Sequence, residues 1–353
     1  MQRFACSHCR HEVYFENVRC ERCGHALGFD PSSLRMVALA PQHDGAFRVE
    51  GRLFRCSLKY CDNHTHGVCN WLVADDHGNS LCRACRLNRT IPNLSSAANV
   101  AAWAAIEGAK KRLVYSLLRL GLPLDANGGG TTTPLTFDFL AETTTGHFNG
   151  VITIDVAEAN AVERERQRQW LDESYRSLLG HFRHESGHYY WMRLVDGTRW
   201  LEPFRRMFGD ERADYAAALA RHHAQGAPPG WAANHVTAYA SAHPAEDWAE
   251  TWAHYLHIVD VLDTAVALGI QHPAWRLLRG PGPWFGAFDA YRAKSMQRLV
   301  DEWIPFALAM NGLNRSMGHV DFYPFVLSPA AIEKLAFVHQ AIAGWRAKHA
   351  EAK

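Results

Sequence analysis

The amino-acid sequence predicts an α+β protein, with a small β-region rich in cysteine followed by a mostly helical domain that contains a short β-sheet. Three observations lead to this prediction. All nine cysteines of the 353-residue chain lie between Cys6 and Cys85. The stretches between these cysteines are short and β-like, whereas helical patterns dominate from about Ser95 onward. We therefore predict two domains, one over residues 1–92 and one over residues 93–353.

The composition limits the class of protein. With 48% hydrophobic residues, 21% charged residues and a net charge of +1, the chain is too apolar and too balanced in charge to be disordered. The first 90 residues carry 12 lysines and arginines against 9 acidic residues, which supports nucleic-acid binding only weakly. The start, MQRFACSHCR, lacks the pattern of a signal peptide, and no run of about 18 uncharged apolar residues occurs. We expect a cytoplasmic protein with reduced thiols and no membrane contact.

The secondary structure is predicted along the chain in order. Short β-like stretches cover residues 11–17 and 46–56. A helix is predicted over 95–122, between capping serines and Gly121, and alternating β-branched residues predict a strand over 150–156. Glycine-rich or proline-rich breaks lie at 127–134 and 226–230, and further helices are predicted over 160–195, 231–239, 244–268, 284–310 and 328–350.

Four cysteines form two Cys-x-x-Cys pairs near the start of the chain, at Cys6, Cys9, Cys20 and Cys23. Zinc prefers four soft ligands in a tetrahedron, and two such pairs separated by a short hairpin provide them. The reducing compartment expected for this chain disfavours disulfides as the explanation. The spacing therefore predicts a first structural zinc site.

A second cysteine cluster is less regular. Cys82 and Cys85 form a clear pair, and their two partners come from Cys56, Cys61 and Cys69. We choose Cys61 and Cys69 as ligands, because Cys56 lies in a predicted strand and resembles a small core residue. These four cysteines predict a second structural zinc site.

Two histidines keep a variant of this second site open, because His64 or His66 could replace one of the cysteines. The two clusters together predict a tandem zinc ribbon over residues 1–92. Such ribbons fold a module that could not otherwise bury enough surface. The sequence does not decide whether the ribbons bind a protein, a nucleic acid or the neighbouring domain.

The segment RSLLGHFRHESGHYYWMRLV contains an HExxH motif that runs from His184 to His188. On a helix, residues four apart lie on one face, so both histidines can present their imidazoles to one Zn²⁺. Glu185 then lies beside the metal, where it can accept a proton from water. The motif predicts a catalytic zinc site, and the alternative is a histidine-rich amphipathic helix that binds no metal.

The third ligand of this site has several candidates. The segment YASAHPAEDWAE (239–250) offers Glu246 and Glu250 on one helical face. One of these glutamates can ligate zinc while the other holds a ligand histidine from behind. Asp247 is a rival third ligand, and His181 lies on a similar face of the first helix.

The spacing of Tyr239, Glu246 and Glu250 after the HESGH helix resembles that of the catalytic domain of anthrax lethal factor, a zinc endopeptidase. A larger part of the chain is similar to a bacterial family of zinc-binding metallopeptidases with an N-terminal zinc ribbon, whose activity is inferred from its motif. The matching stretches are CNWLV (69–73), CRLNRTIPNLS (85–95), GVITIDVAEAN (150–160), GHFRHESGHYYW (180–191), FGDERADY (208–215), YASAHPAEDWAETWAHYL (239–256) and DFYPFVLS (321–328).

The resemblance implies a zincin-like fold of the gluzincin type for the second domain and a role for each site residue. These roles are zinc ligand for His184, His188 and Glu246, general base for Glu185, and oxyanion partner for Tyr239. With Glu246 as the ligand, the helical spacing leaves Glu250 to support a ligand histidine. The strand at 150–156 would be the edge strand above the cleft, where an extended substrate pairs. The long insert at 196–235 would shape or cover that cleft, and His235 or His243 could add a donor to the oxyanion.

Together these features predict a zinc-dependent endopeptidase with one catalytic and two structural zinc ions. Bound zinc would lower the pKa of water toward about 7. Glu185 would take a proton and pass it to the leaving amine, and Tyr239 would stabilise the oxyanion. The substrate would be a protein or peptide, with the ribbons recognising the substrate or a partner protein. The alternative is a zinc-ribbon module that binds protein or nucleic acid on a latent or inactive zincin scaffold.

Overall fold

The structure is a computed structural model that describes residues 2–42, 46–49, 57–74, 78–125, 133–170, 177–270 and 288–350. The chain forms two compact units. We call residues 2–115 with 135–167 the N-terminal unit, and residues 116–134 with 168–353 the helical unit. As predicted, the fold is α+β, with a small β-region that carries the cysteines and a mostly helical part with a small sheet. The domain boundary at residue 92 stays a prediction.

Short strands make up the cysteine-bearing part of the N-terminal unit. They are β1 (Phe4–Ala5), β2 (Glu12–Val13), β3 (Ala26–Asp30), β4 (Arg35–Pro41), β5 (Phe47–Val49), β6 (Ser57–Tyr60) and β7 (Leu72–Ala74). Strands β1 and β2 pair with each other, and β3 to β7 form an antiparallel sheet in sequence order. The apolar side chains that this sheet buries together include Val37, Leu39, Val49, Leu58 and Leu72.

The described residues contain strands in both of the β-like stretches predicted here. The stretch 11–17 contributes only β2, and the stretch 46–56 contributes β5. Residues 50–56, including Cys56, lie outside the described residues.

A second sheet of the N-terminal unit has four strands, β8 (Asn88–Thr90), β9 (Thr136–Leu140), β10 (Gly146–Phe148) and β11 (Val151–Asp155). Their order is β10-β11-β9-β8, with β9 parallel to both β8 and β11, and β10 antiparallel to β11. The strand predicted over 150–156 is therefore confirmed as β11. Its predicted place at the edge of the sheet is wrong, because β11 pairs on both sides.

The turn between β10 and β11 explains this correction. Phe148 pairs with Val151, so Asn149 and Gly150 form a two-residue loop. Their φ angles are +46° and +84°, the left-handed values that tight hairpin turns require and that an Asn-Gly pair adopts readily. The hairpin pairs β10 with β11 and so occupies the edge of β11 that is predicted to pair with an extended substrate.

The helices follow the sequence prediction more closely. They are α1 (Ala97–Leu120), α2 (Ala161–Trp170), α3 (Leu178–Leu194), α4 (Leu201–Phe208), α5 (Tyr215–Gln225), α6 (Pro244–Leu268), α7 (Met296–Ser316) and α8 (Pro329–Ala350). The helix predicted over 284–310 begins later than expected, because Ser295 is extended and caps α7 through its side chain. Helices α4 and α5 lie in the insert 196–235. Among the described residues, no helix combines the length and apolar character needed to cross a membrane.

Two helix predictions need correction. The segment 160–195 is not one helix, because Ser177 is extended and its hydroxyl caps the start of α3 by accepting from Gly180 N. The segment 231–239 forms no α-helix, but short 3-10 turns at Trp231–Ala233 and Tyr239–Ser241. Here the Thr237 hydroxyl accepts a hydrogen bond from Ala240 N, which replaces a helical backbone bond.

Candidate metal centres

The first cysteine cluster has the geometry of a tetrahedral site. The ligand atoms of Cys6, Cys9, Cys20 and Cys23 all lie within 4.8 Å of one another. The Sγ atoms of Cys6 and Cys23 are 3.7 Å apart, and those of Cys9 and Cys20 are 3.6 Å apart. Four sulfurs bound at about 2.3 Å from one zinc ion would lie about 3.8 Å apart, whereas a disulfide is about 2.05 Å long. The four thiols therefore fit zinc and not disulfides.

The second cluster brings together Cys61, Cys69, Cys82 and Cys85, all buried and within 4.8 Å of one another. The Sγ atoms of Cys69 and Cys82 are 3.7 Å apart, the separation found in the first cluster. Of the two histidines considered as replacements, His64 stacks on Tyr60 and its Nδ1 lies 2.7 Å from the carbonyl of Cys69. The ring of His66 lies against Trp103.

Buried charged residues of α1 lie beside the second cluster, where Glu107 Oε2 is 3.9 Å from Cys85 Sγ. Glu107 and Lys110 are completely buried, and Lys111 nearly so. Glu107 lies 2.8 Å from Lys110 Nζ and 3.2 Å from Lys111 Nζ, while Lys111 also donates to the carbonyl of Val68. Four thiolates around one Zn²⁺ carry a net charge of −2, and two ammonium groups beside one carboxylate partly balance it. This arrangement fits a charged metal–thiolate centre.

Helices α3 and α6 form the third group of ligand atoms. His184 and His188 lie four residues apart on α3, and Glu246 lies in the first turn of α6. Their ligand atoms lie within 4.8 Å of one another. Glu246 Oε2 is 3.0 Å from His184 Nε2, and Glu246 Oε1 is 3.6 Å from His188 Nε2. Two imidazoles and one carboxylate are a common donor set of catalytic zinc sites.

The electrostatics of this group suit a cation. Glu246 is only 1% exposed. Burial would raise its pKa, but the hydrogen bond from His184 and the neighbouring imidazoles lower the pKa to about 2, so the carboxylate is ionised. Burial lowers the pKa of His188 to about 4, which keeps this ring neutral near pH 7, the state that ligates metals. Burial would also lower the pKa of His184, but its hydrogen bonds with Glu246 and Glu250 raise that pKa, so without a cation this ring holds a proton between two carboxylates. Among the described residues, Glu246 Oε2 is buried and has no polar partner other than His184 Nε2 at 3.0 Å.

Glu250 lies behind His184, on the side away from Glu246. Its Oε1 is 2.6 Å from His184 Nδ1, whereas Glu246 approaches Nε2. The Thr237 hydroxyl donates to Glu250 Oε2 at 2.7 Å. A carboxylate on the outer nitrogen of a ligand histidine fixes the orientation and tautomer of that ring. Glu250 therefore has the position expected of a residue that supports a ligand.

The close approach of α3 and α6 depends on Gly187. A Cβ atom at this position would lie 2.9 Å from the Cα of Ala249 and 3.2 Å from side-chain atoms of Trp252. The indole of Trp248 donates to the carbonyl of Gly187 at 2.8 Å, and that of Trp252 donates to Ser186 Oγ at 3.1 Å. The glycine inside the motif thus lets the two ligand-bearing helices touch.

Tyr239 lies beside the histidines, with its ring centroid 6.0 Å from that of His184. Burial, together with the negative charge of Glu246, raises the pKa of its hydroxyl. The group therefore stays protonated near neutral pH and can donate a hydrogen bond. The ring of His222, from α5, lies 5.8 Å from Tyr239 in an edge-to-face contact.

The rival ligands occupy other environments. Asp247 Oδ2 is 2.6 Å from Lys334 Nζ in a buried ion pair. His243 caps α6 by accepting from Ala245 N through Nδ1, and its Nε2 faces the carbonyl of Ala213, so both ring nitrogens are engaged. His235 contacts the carbonyl of Trp231 and lies 3.7 Å from Asp247. In the described part of the chain, the group of mutually close ligand atoms contains His184, His188 and Glu246 and not His181, Asp247 or Glu250.

Sequence reasoning missed one residue that touches this group. Tyr215, the first residue of α5, donates its hydroxyl to Glu246 Oε1 at 2.6 Å. It lies 31 residues before Glu246 and outside both motifs. In the sequence it is the last residue of the matching stretch FGDERADY (208–215), and the preceding Asp214 marks a helix start by accepting from Ala217 N. Neither signal links Tyr215 to Glu246.

Comparisons with known proteins match zinc-binding families to the part of the chain with the histidine–glutamate group and to the part with the cysteine clusters. Residues 99–341 match the family described as "Putative zinc-binding metallo-peptidase", and residues 3–96 match the family described as "zinc-ribbon domain". Uncharacterized proteins of Mycobacterium tuberculosis (strains CDC 1551 / Oshkosh and ATCC 25618 / H37Rv) and of Mycobacterium bovis are each 41% identical to the chain over 347 residues. These alignments cover 97% of the chain and 95% of each relative. No solved structure matches the chain significantly.

Proposed function

Because the chain belongs to this family of zinc-binding metallopeptidases, we propose that it is a zinc-dependent endopeptidase with its active site between α3 and α6. One observation carries the proposal. His184, His188 and Glu246 converge with their ligand atoms within 4.8 Å of one another. Glu185 follows His184 on α3, and Glu250 lies one turn after Glu246 on α6. A zinc ion bound there supplies a Lewis acid that lowers the pKa of water to about 7.

The residues around the ligands then have distinct tasks. Glu185, on the same turn of α3 as the ligand histidines, is the general base that accepts a proton from the attacking water and gives it to the leaving amine. Tyr239 stays protonated and donates a hydrogen bond to the carbonyl oxygen as negative charge develops. Glu250 and Thr237 hold the His184 ring in the orientation in which Nε2 faces Glu246.

We further propose that the cysteine clusters are two structural zinc sites of a tandem ribbon. Each cluster supplies four thiols and leaves no ligand position for water. The ribbons would recognise the protein substrate or a partner protein. The full chain would therefore hold three zinc ions, of which one takes part in hydrolysis.

The experiment that tests this function compares the wild-type chain with Glu185→Gln and Glu246→Ala. Each protein is incubated with a proteome-derived peptide mixture, new termini are mapped by mass spectrometry, and zinc is counted by elemental analysis. Glu185→Gln should keep three zinc ions while cleavage falls by a factor of about 10²–10⁴, since it loses only the general base. Glu246→Ala should hold two zinc ions and cleave nothing. Equal cleavage by the wild type and Glu185→Gln, or only two zinc ions in the wild type, would overturn the proposal.

A further inference from the structure

Tyr215 belongs to α5, a helix that no motif of the ligand-bearing segments includes. Its hydroxyl donates to Glu246 Oε1 at 2.6 Å, although the residue as a whole is 44% exposed. The polar end of the side chain therefore reaches a buried carboxylate while part of the ring faces solvent. A hydrogen bond from an exposed position to a buried candidate metal ligand calls for an explanation beyond packing.

The two oxygens of Glu246 have different environments. Oε1 accepts the Tyr215 hydroxyl and lies 3.6 Å from His188 Nε2. Oε2 is buried, lies 3.0 Å from His184 Nε2 and has no other polar partner among the described residues. Resting on the function proposed above, we propose that Tyr215 is a positioning residue that occupies Oε1, so that Glu246 binds zinc through Oε2 alone.

The position of Tyr215 is fixed by contacts that do not involve Glu246. Asp214 caps α5 by accepting from Ala217 N at 3.0 Å. The Tyr215 ring packs edge-to-face on His243, with centroids 5.2 Å apart. His243 is itself held at the start of α6, three residues before Glu246. These contacts direct the hydroxyl at Oε1 independently of Glu246.

Binding through one oxygen matters for the chemistry. A carboxylate that binds with both oxygens takes two coordination positions, whereas one that binds with a single oxygen takes one. A catalytic zinc site with three protein ligands keeps its fourth position for water or substrate. By holding Oε1, Tyr215 keeps that position open, and α5 completes a site whose ligands lie on α3 and α6.

The test uses the full chain and the variant Tyr215→Phe, which removes only the hydroxyl. The affinity of the weakest zinc is measured by competition with a chromophoric chelator. We expect it to fall about 10- to 100-fold, the effect typical of losing a partner of a metal ligand. The two thiolate-bound zinc ions should stay in place. Tyr255→Phe is the matched control, because it also removes a buried hydroxyl, which contacts His339 Nδ1 at 3.1 Å, and should leave the zinc affinity unchanged.

A second readout follows the coordination directly. The weakest zinc is exchanged for cobalt, and the absence of sulfur-to-cobalt charge-transfer bands shows that the thiolate sites have kept zinc. In Tyr215→Phe the visible cobalt bands should weaken and shift, because Glu246 becomes free to bind through both oxygens and the coordination number rises. Wild-type affinity or a wild-type cobalt spectrum in Tyr215→Phe would overturn this inference and leave the proposed function standing. Absence of a third zinc ion in the wild-type chain would overturn both.

Discussion

Glu250 and Glu246 lie one helical turn apart, yet the structure gives them opposite positions relative to His184. Glu246 approaches Nε2 of the ring, whereas Glu250 approaches Nδ1. Both oxygens of Glu250 already have partners, His184 and Thr237. A ring cannot present the same nitrogen to a metal and to a supporting carboxylate, so the two glutamates cannot exchange roles.

This difference predicts the outcome of Glu250→Gln. We expect the variant to retain three zinc ions at saturation but to bind the weakest one about 10- to 100-fold less tightly, because an amide supports the His184 ring less well than a carboxylate. Zinc competition with a chromophoric chelator measures the change. Glu202→Gln, at an exposed position that contacts Arg205, is the control and should bind zinc like the wild type. Loss of the third zinc in Glu250→Gln, as expected for Glu246→Ala, would show that Glu250 is a ligand.

At the residue scale, the sequence predicts the contacts that depend on helical spacing and misses those that depend on tertiary structure. His184, His188 and the two glutamates could be paired because residues four apart share a helical face. The contact between Tyr215 and Glu246 joins two helices across a loop, and no periodicity encodes it. The contact of Tyr215 with Glu246 can be identified only once the structure of the insert at 196–235 is known.

At the scale of helices, the packing of α3 on α6 sets the geometry of the site. The space between them at Gly187 is too small for a side chain, since a Cβ atom would meet the backbone of Ala249 at 2.9 Å. A backbone contact cannot rotate away as a flexible side chain would. Any substitution here must therefore push the helices apart and separate the histidines from Glu246.

We expect Gly187→Ala to be destabilised by about 1–3 kcal/mol, the usual result of overpacking a core, and to bind the weakest zinc less tightly. Thermal unfolding and zinc competition measure the two effects. Gly312→Ala is the control, because Gly312 lies within α7 and a Cβ atom there meets no neighbour within 4 Å. That variant should gain up to about 1 kcal/mol from helix propensity. A Gly187→Ala protein that melts like the wild type with unchanged zinc affinity would contradict this account.

The errors of the secondary-structure prediction have local causes. The strand predicted over 150–156 is found as β11, but its predicted position at the edge of the sheet is wrong, because the Asn149-Gly150 turn pairs it with β10. That dipeptide is a strong hairpin signal, so this part of the sheet was readable from the sequence. The helix predicted over 231–239 is wrong for another reason. There the Thr237 side chain contacts Ala240 N and Glu250, and the spacing of apolar residues in the sequence does not predict these contacts.

At the scale of the whole molecule, the candidate metal ligands divide by chemistry. In the N-terminal unit, eight of the nine cysteines form two clusters of four, and the helical unit holds the two histidines and one glutamate. Four thiolate ligands fill the tetrahedral coordination shell of zinc, whereas three harder histidine and glutamate ligands leave one position for water. On the proposed function, the restriction of cysteine to residues 6–85 would separate zinc that stabilises the fold from zinc that serves the reaction.

This division predicts that zinc leaves the molecule in two steps. A bidentate chelator such as 1,10-phenanthroline should remove one zinc ion per chain and stop hydrolysis, because the site proposed on α3 and α6 has three protein ligands and an open position. The helical circular dichroism should persist. A thiol-binding mercurial should then release two more zinc ions, which a chromophoric indicator counts.

The second step should also change the fold, because all four cysteines of the second cluster are buried, beside the buried charges of Glu107, Lys110 and Lys111. Without metal and thiolates, two buried ammonium groups face a single carboxylate, which is costly in a protein interior. Hydrogen exchange followed by mass spectrometry should therefore increase across residues 57–74 and 78–115 only after the mercurial. Release of all three zinc ions by the chelator, or an increase in exchange at the first step, would contradict the division into structural and catalytic zinc. Because both readouts come from the same sample, the zinc count assigns each change in exchange to its metal site.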